Sequence, residues 1–306
     1  MSSSSQYSSS SSGGRGGGAR IVAALDFGTT FSGFAYARTT EPDKVFKHYD
    51  WPCVGKVGAK PYCKTQTSLY YQPITATPPG PQGVGPGQAQ HTPAFQLKSW
   101  GWSALLHYTD SARAASRSSA SPHPNPNRLV PPDYDGWRPW DVNVMDNPSG
   151  SDNLDVVRAQ PASLAGFFAT KFKLYLADQP PGHRNRSPAG LSVEVLIADY
   201  LRCISGFILS ELQLRYGKHL GMDDVQWCLT VPAIWDEKAK QTMKACAEKA
   251  GMVKGPGCDV SVAASPFPLD IILEPEAASV YCQEKAKASL RLRKGDKLLI
   301  ADVGGG

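Results

Sequence analysis

The first hydrophobic segment of the chain is a short apolar run at residues 21–25. A Gly/Thr turn follows, and a second apolar run extends to Ala37. Short apolar runs bounded by turn residues are typical of β-strands. The pattern therefore predicts an N-terminal hairpin, in which Asp26 stands at the end of the first strand.

The middle of the chain has a different character. Residues 72–163 are rich in Pro, Gly, Ser and Asn, and only short aromatic segments, at 95–102 and 134–140, interrupt them. Because Pro and Gly end helices and strands, this stretch is predicted to be a long, flexible, loop-rich insertion. We expect the aromatic segments to pack within a small subdomain, with a partner surface as the alternative.

Periodicity returns after this stretch. Residues 164–176 predict a helix that ends before Pro180. A long amphipathic helix follows and ends at Gly217. Its apolar positions are Leu191, Val195, Ala198, Leu201, Ile204, Ile208, Leu212 and Leu214. Two helices are thus predicted between the insertion and the next strand.

The last third of the chain alternates strands with helices. Strands are predicted at 225–231, 271–273 and 297–303. Asp236 and Gly251 have the residue types that begin and end a helix over 237–250. Another helix is expected to have Pro275 in its first turn. This alternation predicts an α/β fold with a mainly parallel sheet.

Composition and charge exclude several classes of function. The chain has 306 residues, 41% of them apolar, and a net charge of +5 without a long basic run, so nucleic acid is not an expected partner. Residues 1–19 form a Ser/Gly-rich tail that resembles neither a signal peptide nor a transit helix, and we expect it to be disordered. The apolar stretch 191–216 carries five charged residues, which argues against a membrane span.

The seven cysteines are expected to be reduced thiols. With no secretory signal, an odd number of cysteines favours a cytoplasmic protein. Cys53 and Cys63 are the one pair that suggests half of a metal site, but no Cys-x-x-Cys motif accompanies them. A structural zinc site is therefore not expected.

Two glycine-rich segments carry the candidate chemistry. Asp26 is followed by Gly28, Thr29 and Thr30, and Asp302 is followed by 304–306. An Asp at the end of a buried strand suits a hydrated Mg²⁺ ion, because carboxylates are hard oxygen ligands. Glycines after it allow backbone N–H groups to approach a phosphate. Two such loops that face each other would hold one nucleotide.

The order of four segments resembles the actin-like ATPase superfamily, and most closely the DnaK-type heat-shock-70 chaperones. The segments are Asp-Phe-Gly-Thr-Thr at 26–30, Thr-Val-Pro-Ala at 230–233, Leu-Glu-Pro at 273–275 and Asp-Val-Gly-Gly-Gly at 302–306. The resemblance implies a ribonuclease-H-like, actin-type ATPase fold and implies ATP and Mg²⁺ as cofactors. It covers roughly residues 21–68 and 164–306.

The resemblance also implies roles for individual residues. Asp26 and Asp302 would hold Mg²⁺ through its water molecules. Glu274 would orient a metal-bound or attacking water, and Lys173 would point at the γ-phosphate, with Lys171 as its rival. The phosphates would be wrapped by Gly28, Thr29, Thr30, Gly304, Gly305 and Gly306. Phosphoryl transfer needs carboxylates, a lysine and glycine-rich turns because it depends on positioning and charge neutralisation. Lys173, Glu274 and Asp302 are the predicted catalytic residues.

Two departures from the family pattern affect the expected function. Glu276 stands where chaperones have Thr, which resembles a divergent heat-shock-70 branch that lacks the usual peptide-binding domain. An added carboxylate near a triphosphate increases repulsion, so ATP hydrolysis is expected to be weak or lost unless Glu276 points away. The insertion at 72–163 is the second departure. Protein clients or co-chaperones are expected partners only by resemblance.

The match implies the first lobe of such an ATPase, with 20–40 and 189–306 as its core and 41–188 as an inserted small subdomain. In the family the adenine contacts come largely from a second lobe, so this 306-residue chain alone is expected to be an incomplete, inactive fragment. The complete parent would be a slow Mg²⁺-dependent ATPase with lobe closure. The alternatives are a non-hydrolysing nucleotide sensor or scaffold, and a small-molecule kinase of the same superfamily.

Overall fold

The computed structural model describes residues 20–57, 62–74, 95–118, 166–176, 190–255, 264–286 and 293–301, with only the backbone of 115–118. The predicted tail at 1–19 lies outside these residues. So do most of the predicted insertion, Asp302, and the glycines Gly304, Gly305 and Gly306. The predicted second phosphate loop is therefore outside the described residues.

The described residues form two sheets and four α-helices. The strands are β1 (Ile21–Phe27), β2 (Phe31–Arg38), β3 (Glu41–Lys47), β4 (Thr65–Gln66), β5 (Ser68–Pro73), β6 (Phe95–Trp100), β7 (Phe167–Thr170), β8 (Val225–Val231) and β9 (Asp270–Leu273). The helices are α1 (Gly101–Ser118), α2 (Val193–Tyr216), α3 (Glu237–Ala250) and α4 (Glu274–Lys285). Within the described residues no helix has the length and apolar character that crossing a membrane requires.

The larger sheet has the strand order β3-β2-β1-β8-β9, and β4 pairs with β2. The predicted hairpin is confirmed, because β1 and β2 pair antiparallel across the turn at 28–30. The expectation of a mainly parallel sheet is corrected: β1, β8 and β9 are parallel, but β2, β3 and β4 pair antiparallel. A three-residue turn permits only antiparallel pairing, whereas a helical crossover permits parallel pairing.

The smaller sheet has the order β6-β5-β7 and is antiparallel. The predicted helix over 164–176 is wrong, because 167–170 form β7 and only Phe172–Leu176 form a helix, of the 3₁₀ type. A short apolar run is compatible with either a helix or a strand. Residues 167–170 form a strand because they pair with β5. Regular structure also occurs inside the predicted loop-rich stretch, where 95–118 form β6 and α1.

Helix α2 lies at the centre of the core, as its amphipathic pattern predicts. Ser192 begins the helix, with its side chain accepting a hydrogen bond from the Val195 N–H, and Gly217 ends it. Most of the predicted apolar face is buried, but Leu214 is 81% exposed and does not belong to it. The buried face contacts α3 and the 3₁₀ helix. It also contributes to a single apolar cluster that includes residues of both sheets.

The predicted helix over 237–250 and its ends are confirmed. Asp236 Oδ1 accepts a hydrogen bond from the Ala239 N–H at 2.7 Å, and Gly251 has a left-handed φ of 80°. The final strand predicted at 297–303 is wrong over its described part, because residues 297–301 form no strand. Within the described ranges no neighbouring strand pairs with this segment, and Leu299 is 94% exposed.

Candidate functional site

The candidate site lies at the edge of the larger sheet where the parallel strands β1, β8 and β9 end. Asp26 is near the end of β1, and Glu274 directly follows β9 as the first residue of α4. The Thr230 hydroxyl of β8 donates a hydrogen bond to Asp26 Oδ1 at 3.3 Å. In open α/β sheets, ligands bind at the carboxyl ends of parallel strands. The topology therefore brings two predicted site residues to the edge where a ligand is expected.

The turn between β1 and β2 contains Gly28, Thr29 and Thr30, which are all half-buried. Thr67, between β4 and β5, holds this turn from the side. Its hydroxyl donates to the Gly28 carbonyl at 2.7 Å, and its N–H donates to the Thr30 carbonyl at 2.8 Å. These bonds fix the turn before a ligand arrives. The sequence alone does not mark Thr67, because its contacts join residues nearly forty positions apart.

Gly28 is required by a close backbone approach. A Cβ atom at this position would lie 2.2 Å from the Phe31 carbonyl oxygen, a backbone atom that cannot turn aside. We expect Gly28→Ala to lower the free energy of unfolding by about 1–3 kcal/mol, the range for overpacked positions. Urea denaturation measures this change.

Gly206→Ala is the matched control for Gly28→Ala. Gly206 is an exposed residue in α2, where an added Cβ would meet nothing within 4 Å. There alanine should raise the free energy of unfolding by about 1 kcal/mol through its higher helix propensity. If both variants changed stability in the same direction, the steric account of Gly28 would be wrong.

Lys173 lies at this edge as a buried cation. Its side chain is 3% exposed, and its Nζ donates to Glu274 Oε1 at 2.6 Å and to the Phe27 carbonyl at 2.5 Å. Nζ is also 5.5 Å from the ring centroids of Phe27 and Trp235. A buried ammonium is stable only with a charge partner and hydrogen bonds, which Glu274 and the carbonyl supply.

The 3₁₀ helix carries Lys173 to the end of β1. Phe172 is fully buried, with its ring 6.3 Å from that of Phe27 and 6.0 Å from that of Tyr200. This anchor turns the next residue toward Glu274. The rival Lys171 precedes it in a turn, with a left-handed φ of 56° and a half-buried side chain. The structure thus pairs Lys173, rather than Lys171, with the predicted carboxylate.

Glu276 occupies a different position from Glu274. It is exposed in the first turn of α4, where a carboxylate interacts favourably with the helix dipole. Glu274 shares that turn but is only partly exposed, and it is the residue that contacts Lys173. Glu276 therefore has a structural reason for its charge, separate from the ion pair.

Lys64 is a site residue that sequence analysis missed. Its Nζ lies 2.6 Å from Asp26 Oδ2. Burial lowers the pKa of Lys64, but the adjacent Asp26 carboxylate and the hydrogen bond to it raise that pKa by more, leaving it above its ordinary value. Lys64 directly precedes β4, which pairs with β2. That long-range pairing brings Lys64 to the site, and no motif marks it.

The donor set fits a magnesium ion that keeps most of its water. Asp26 is a single carboxylate, 43% exposed, at an open strand end. Among the described residues, no group of three or more His, Cys, Asp or Glu side chains could hold a metal. A protein cage is therefore not built from these residues. Mg²⁺ is usually bound through one or two carboxylates together with substrate phosphates, and Asp26 suits that arrangement.

Comparison with curated proteins gives distant relatives over most of the chain. Human heat shock 70 kDa protein 12B is 27% identical over 264 residues, which cover 86% of this chain and 28% of that protein. Mouse and human heat shock 70 kDa protein 12A are each 26% identical over 269 residues, with the same coverage.

This chain therefore spans a little over a quarter of the length of these relatives. It matches no protein-family model. The mixed α/β arrangement is compatible with a lobe of an actin-like ATPase. The similarity supports a distant relationship between this chain and the heat-shock-70 proteins.

Proposed function

We propose that this chain supplies the phosphate- and metal-binding side of a Mg²⁺-dependent ATPase site of the heat-shock-70 type. The observation that carries the proposal is the buried ion pair between Lys173 and Glu274. Lys173 also donates to the carbonyl of Phe27, the residue just before the turn at 28–30. A lysine is rarely buried without a reason, because burial of its charge costs free energy even when it is paired. A cation placed beside a glycine turn suits a phosphate ligand.

Each residue has a defined task in this proposal. Backbone N–H groups of Gly28, Thr29 and Thr30 bind phosphate oxygens. The Lys173 ammonium neutralises charge on the transferred phosphoryl group, where charge neutralisation is most of the catalysis. The Glu274 carboxylate uses one oxygen to hold Lys173. Its other oxygen is assigned to accept a hydrogen bond from the attacking water.

The metal binds at Asp26 in this proposal. Mg²⁺, when bound with the nucleotide, neutralises phosphate charge. Asp302 and the glycines at 304–306 are assigned to the same nucleotide by the resemblance alone. The similarity to heat shock 70 kDa proteins 12A and 12B supports nucleotide binding with Mg²⁺ at the level of the family. Protein clients or co-chaperones are proposed as partners from the family resemblance alone.

A non-hydrolysing nucleotide sensor is the second candidate. The ion pair between Lys64 and Asp26 favours a sensor. A lysine that neutralises the metal-binding carboxylate weakens metal binding, and phosphoryl transfer depends on the metal to neutralise phosphate charge. The two candidates share the binding step and differ in the release of phosphate. A sensor would hold ATP unchanged.

Calorimetry and a phosphate-release assay on the full-length gene product test the proposal. We expect ATP to bind in the presence of Mg²⁺, to bind more weakly with EDTA, and to be hydrolysed slowly. ATP binding without phosphate release would select the sensor. No heat of binding at millimolar Mg²⁺-ATP would contradict both candidates.

A reducing, cytoplasmic location is part of the proposal and rests on the cysteines. The described cysteines are Cys53, Cys63, Cys203, Cys228, Cys246 and Cys282, all of which are free thiols. Burial raises the pKa of Cys203 and Cys228 to about 11, and that of Cys246 to about 12. At pH 8 these three are almost entirely protonated, and the protonated thiol is a poor nucleophile.

Among the six described cysteines, we expect iodoacetamide at pH 8 to label the exposed Cys282 first and Cys246 last in the folded protein. After unfolding in urea without reductant, all seven cysteines should react, as they would in a protein without disulfides. Mass spectrometry of the peptides measures both. A pair of cysteines that reacted only after reduction would contradict the reducing location.

A further inference from the structure

Asp26 has both carboxylate oxygens engaged in this structure. Lys64 Nζ lies 2.6 Å from Oδ2, and the Thr230 hydroxyl lies 3.3 Å from Oδ1. The side chains of Asp26 and Lys64 are 43% and 32% exposed, so the pair is open to solvent on one side. A cation that approaches Asp26 therefore meets a carboxylate whose charge is already balanced.

The path of Lys64 to Asp26 depends on a glycine. In the β1/β2 ladder, Asp26 lies directly opposite Gly33. A Cβ atom at Gly33 would come within 2.9 Å of the Lys64 Cγ atom. The aliphatic stem of Lys64 thus crosses β2 where that strand has no side chain, and its ammonium reaches the neighbouring strand. This fit makes the ion pair a feature of the fold rather than a chance contact between two surface side chains.

The second lysine of the site differs from Lys64 in burial. Lys173 is 3% exposed and is enclosed by Glu274, the Phe27 carbonyl and two aromatic rings. Lys64 keeps about a third of its side chain in solvent, and its flexible stem allows the ammonium to move to another anion. One lysine is therefore fixed and the other can exchange partners.

We propose that Lys64 is an internal counter-ion of Asp26 that a metal must displace. Lys64 thereby sets the metal concentration at which the site is half occupied. Without nucleotide, Lys64 neutralises Asp26 and repels a divalent cation. When a metal–nucleotide complex enters, its phosphates offer Lys64 another anionic partner and leave Asp26 to the metal. The inference rests on the proposed function only in taking Asp26 as the metal-binding carboxylate.

Manganese binding without nucleotide tests the inference separately from ATPase function. Mn²⁺ is titrated into the chain, and free Mn²⁺ is measured by electron paramagnetic resonance. Lys64→Met removes the charge and keeps an aliphatic stem, so it should tighten Mn²⁺ binding by about tenfold, the effect of removing one close cation. Lys64→Gln should act in the same direction, whereas Lys64→Arg should bind Mn²⁺ as weakly as the wild type.

Two controls assign any gain in affinity to Asp26. Lys56→Met removes an exposed lysine from the preceding loop and should leave Mn²⁺ binding unchanged. Combining Asp26→Asn with Lys64→Met should abolish the gain. Equal affinities in wild type, Lys64→Met and Lys64→Gln would overturn the inference, as would a gain that persists in the double variant.

The same variants distinguish failure of this inference from failure of the proposed function. Tighter Mn²⁺ binding in Lys64→Met supports the counter-ion role even if no variant binds ATP. That outcome would contradict both candidate nucleotide-binding functions but not this inference. If the wild type binds ATP and the inference holds, Lys64→Met should reach half-maximal ATP binding at a lower Mg²⁺ concentration than the wild type. An unchanged Mg²⁺ requirement would contradict the inference.

Discussion

Replacing Lys173 with methionine is expected to lower the rate of ATP hydrolysis by the full-length gene product by about 100-fold or more, the usual effect of losing one preorganised charge-stabilising group. The methionine side chain fills the same buried space beside Phe27 and Trp235. Glu274 loses its partner but is 25% exposed, so water can solvate it. The rate of phosphate release in a single turnover, at saturating ATP, measures the effect.

Lys171→Met is the matched control, because Lys171 lies two residues away and is the other lysine that the family resemblance allows. Its side chain is half-buried in the turn before the 3₁₀ helix. We expect it to hydrolyse ATP at close to the wild-type rate. A loss in Lys171→Met that equals the loss in Lys173→Met would show that the ion pair with Glu274 does not identify the catalytic lysine.

Replacing Asp26 with asparagine is expected to weaken Mg²⁺-ATP binding by about 10- to 100-fold, or about 1.4 to 2.7 kcal/mol, while metal-free ATP binding changes far less. Asparagine has nearly the same shape as aspartate, and its amide oxygen can still accept the hydrogen bond of Thr230. The substitution removes the negative charge that attracts the metal. Calorimetric titrations with Mg²⁺ and with EDTA separate the two affinities.

Asp43→Asn serves as the control for charge alone. Asp43 is exposed on the edge strand β3, away from the ends of β1, β8 and β9, and its change should leave both affinities as they are. If Asp26→Asn weakened ATP binding equally with and without Mg²⁺, Asp26 would bind the nucleotide and not the metal.

The sequence predicted local features well where a few neighbouring residues decide the structure. The hairpin around Asp26, the ends of α3 at Asp236 and Gly251, and the start of α4 at Pro275 all depend on local turn and capping chemistry. Gly28 is likewise required by a local contact, with the carbonyl of Phe31 in the same hairpin. Residues that a turn or a cap requires can be recognised without knowledge of the rest of the fold.

Features that depend on distant pairing could not be predicted in this way. Residues 167–170 form a strand because β5 lies beside them, and 297–301 form none, although both segments are short apolar runs. The contact between Lys64 and Asp26 joins residues 38 positions apart through the pairing of β4 with β2. The burial of Lys173 likewise depends on Phe172 and α2, which the sequence does not bring together.

The predicted roles of the site residues and the division of the chain into a core and an inserted subdomain stay predictions. The structure brings Asp26, Lys173 and Glu274 to one sheet edge, but Asp302 and Gly304 lie outside the described residues. Chemical roles depend on where a ligand binds, which the residues alone do not fix. The relatives support nucleotide binding for the family and not the role of any one side chain.

The most direct test of the central claim is a crystal structure of the full-length gene product with Mn²⁺ and a non-hydrolysable ATP analogue. The anomalous signal of manganese locates the metal independently of the nucleotide. We expect the phosphates to lie beside the turn at 28–30 and Lys173 to face the terminal phosphate. Asp26 should contact the metal through a metal-bound water molecule. A nucleotide bound elsewhere, or a metal bound away from Asp26, would contradict the assignment of this sheet edge as an ATPase site.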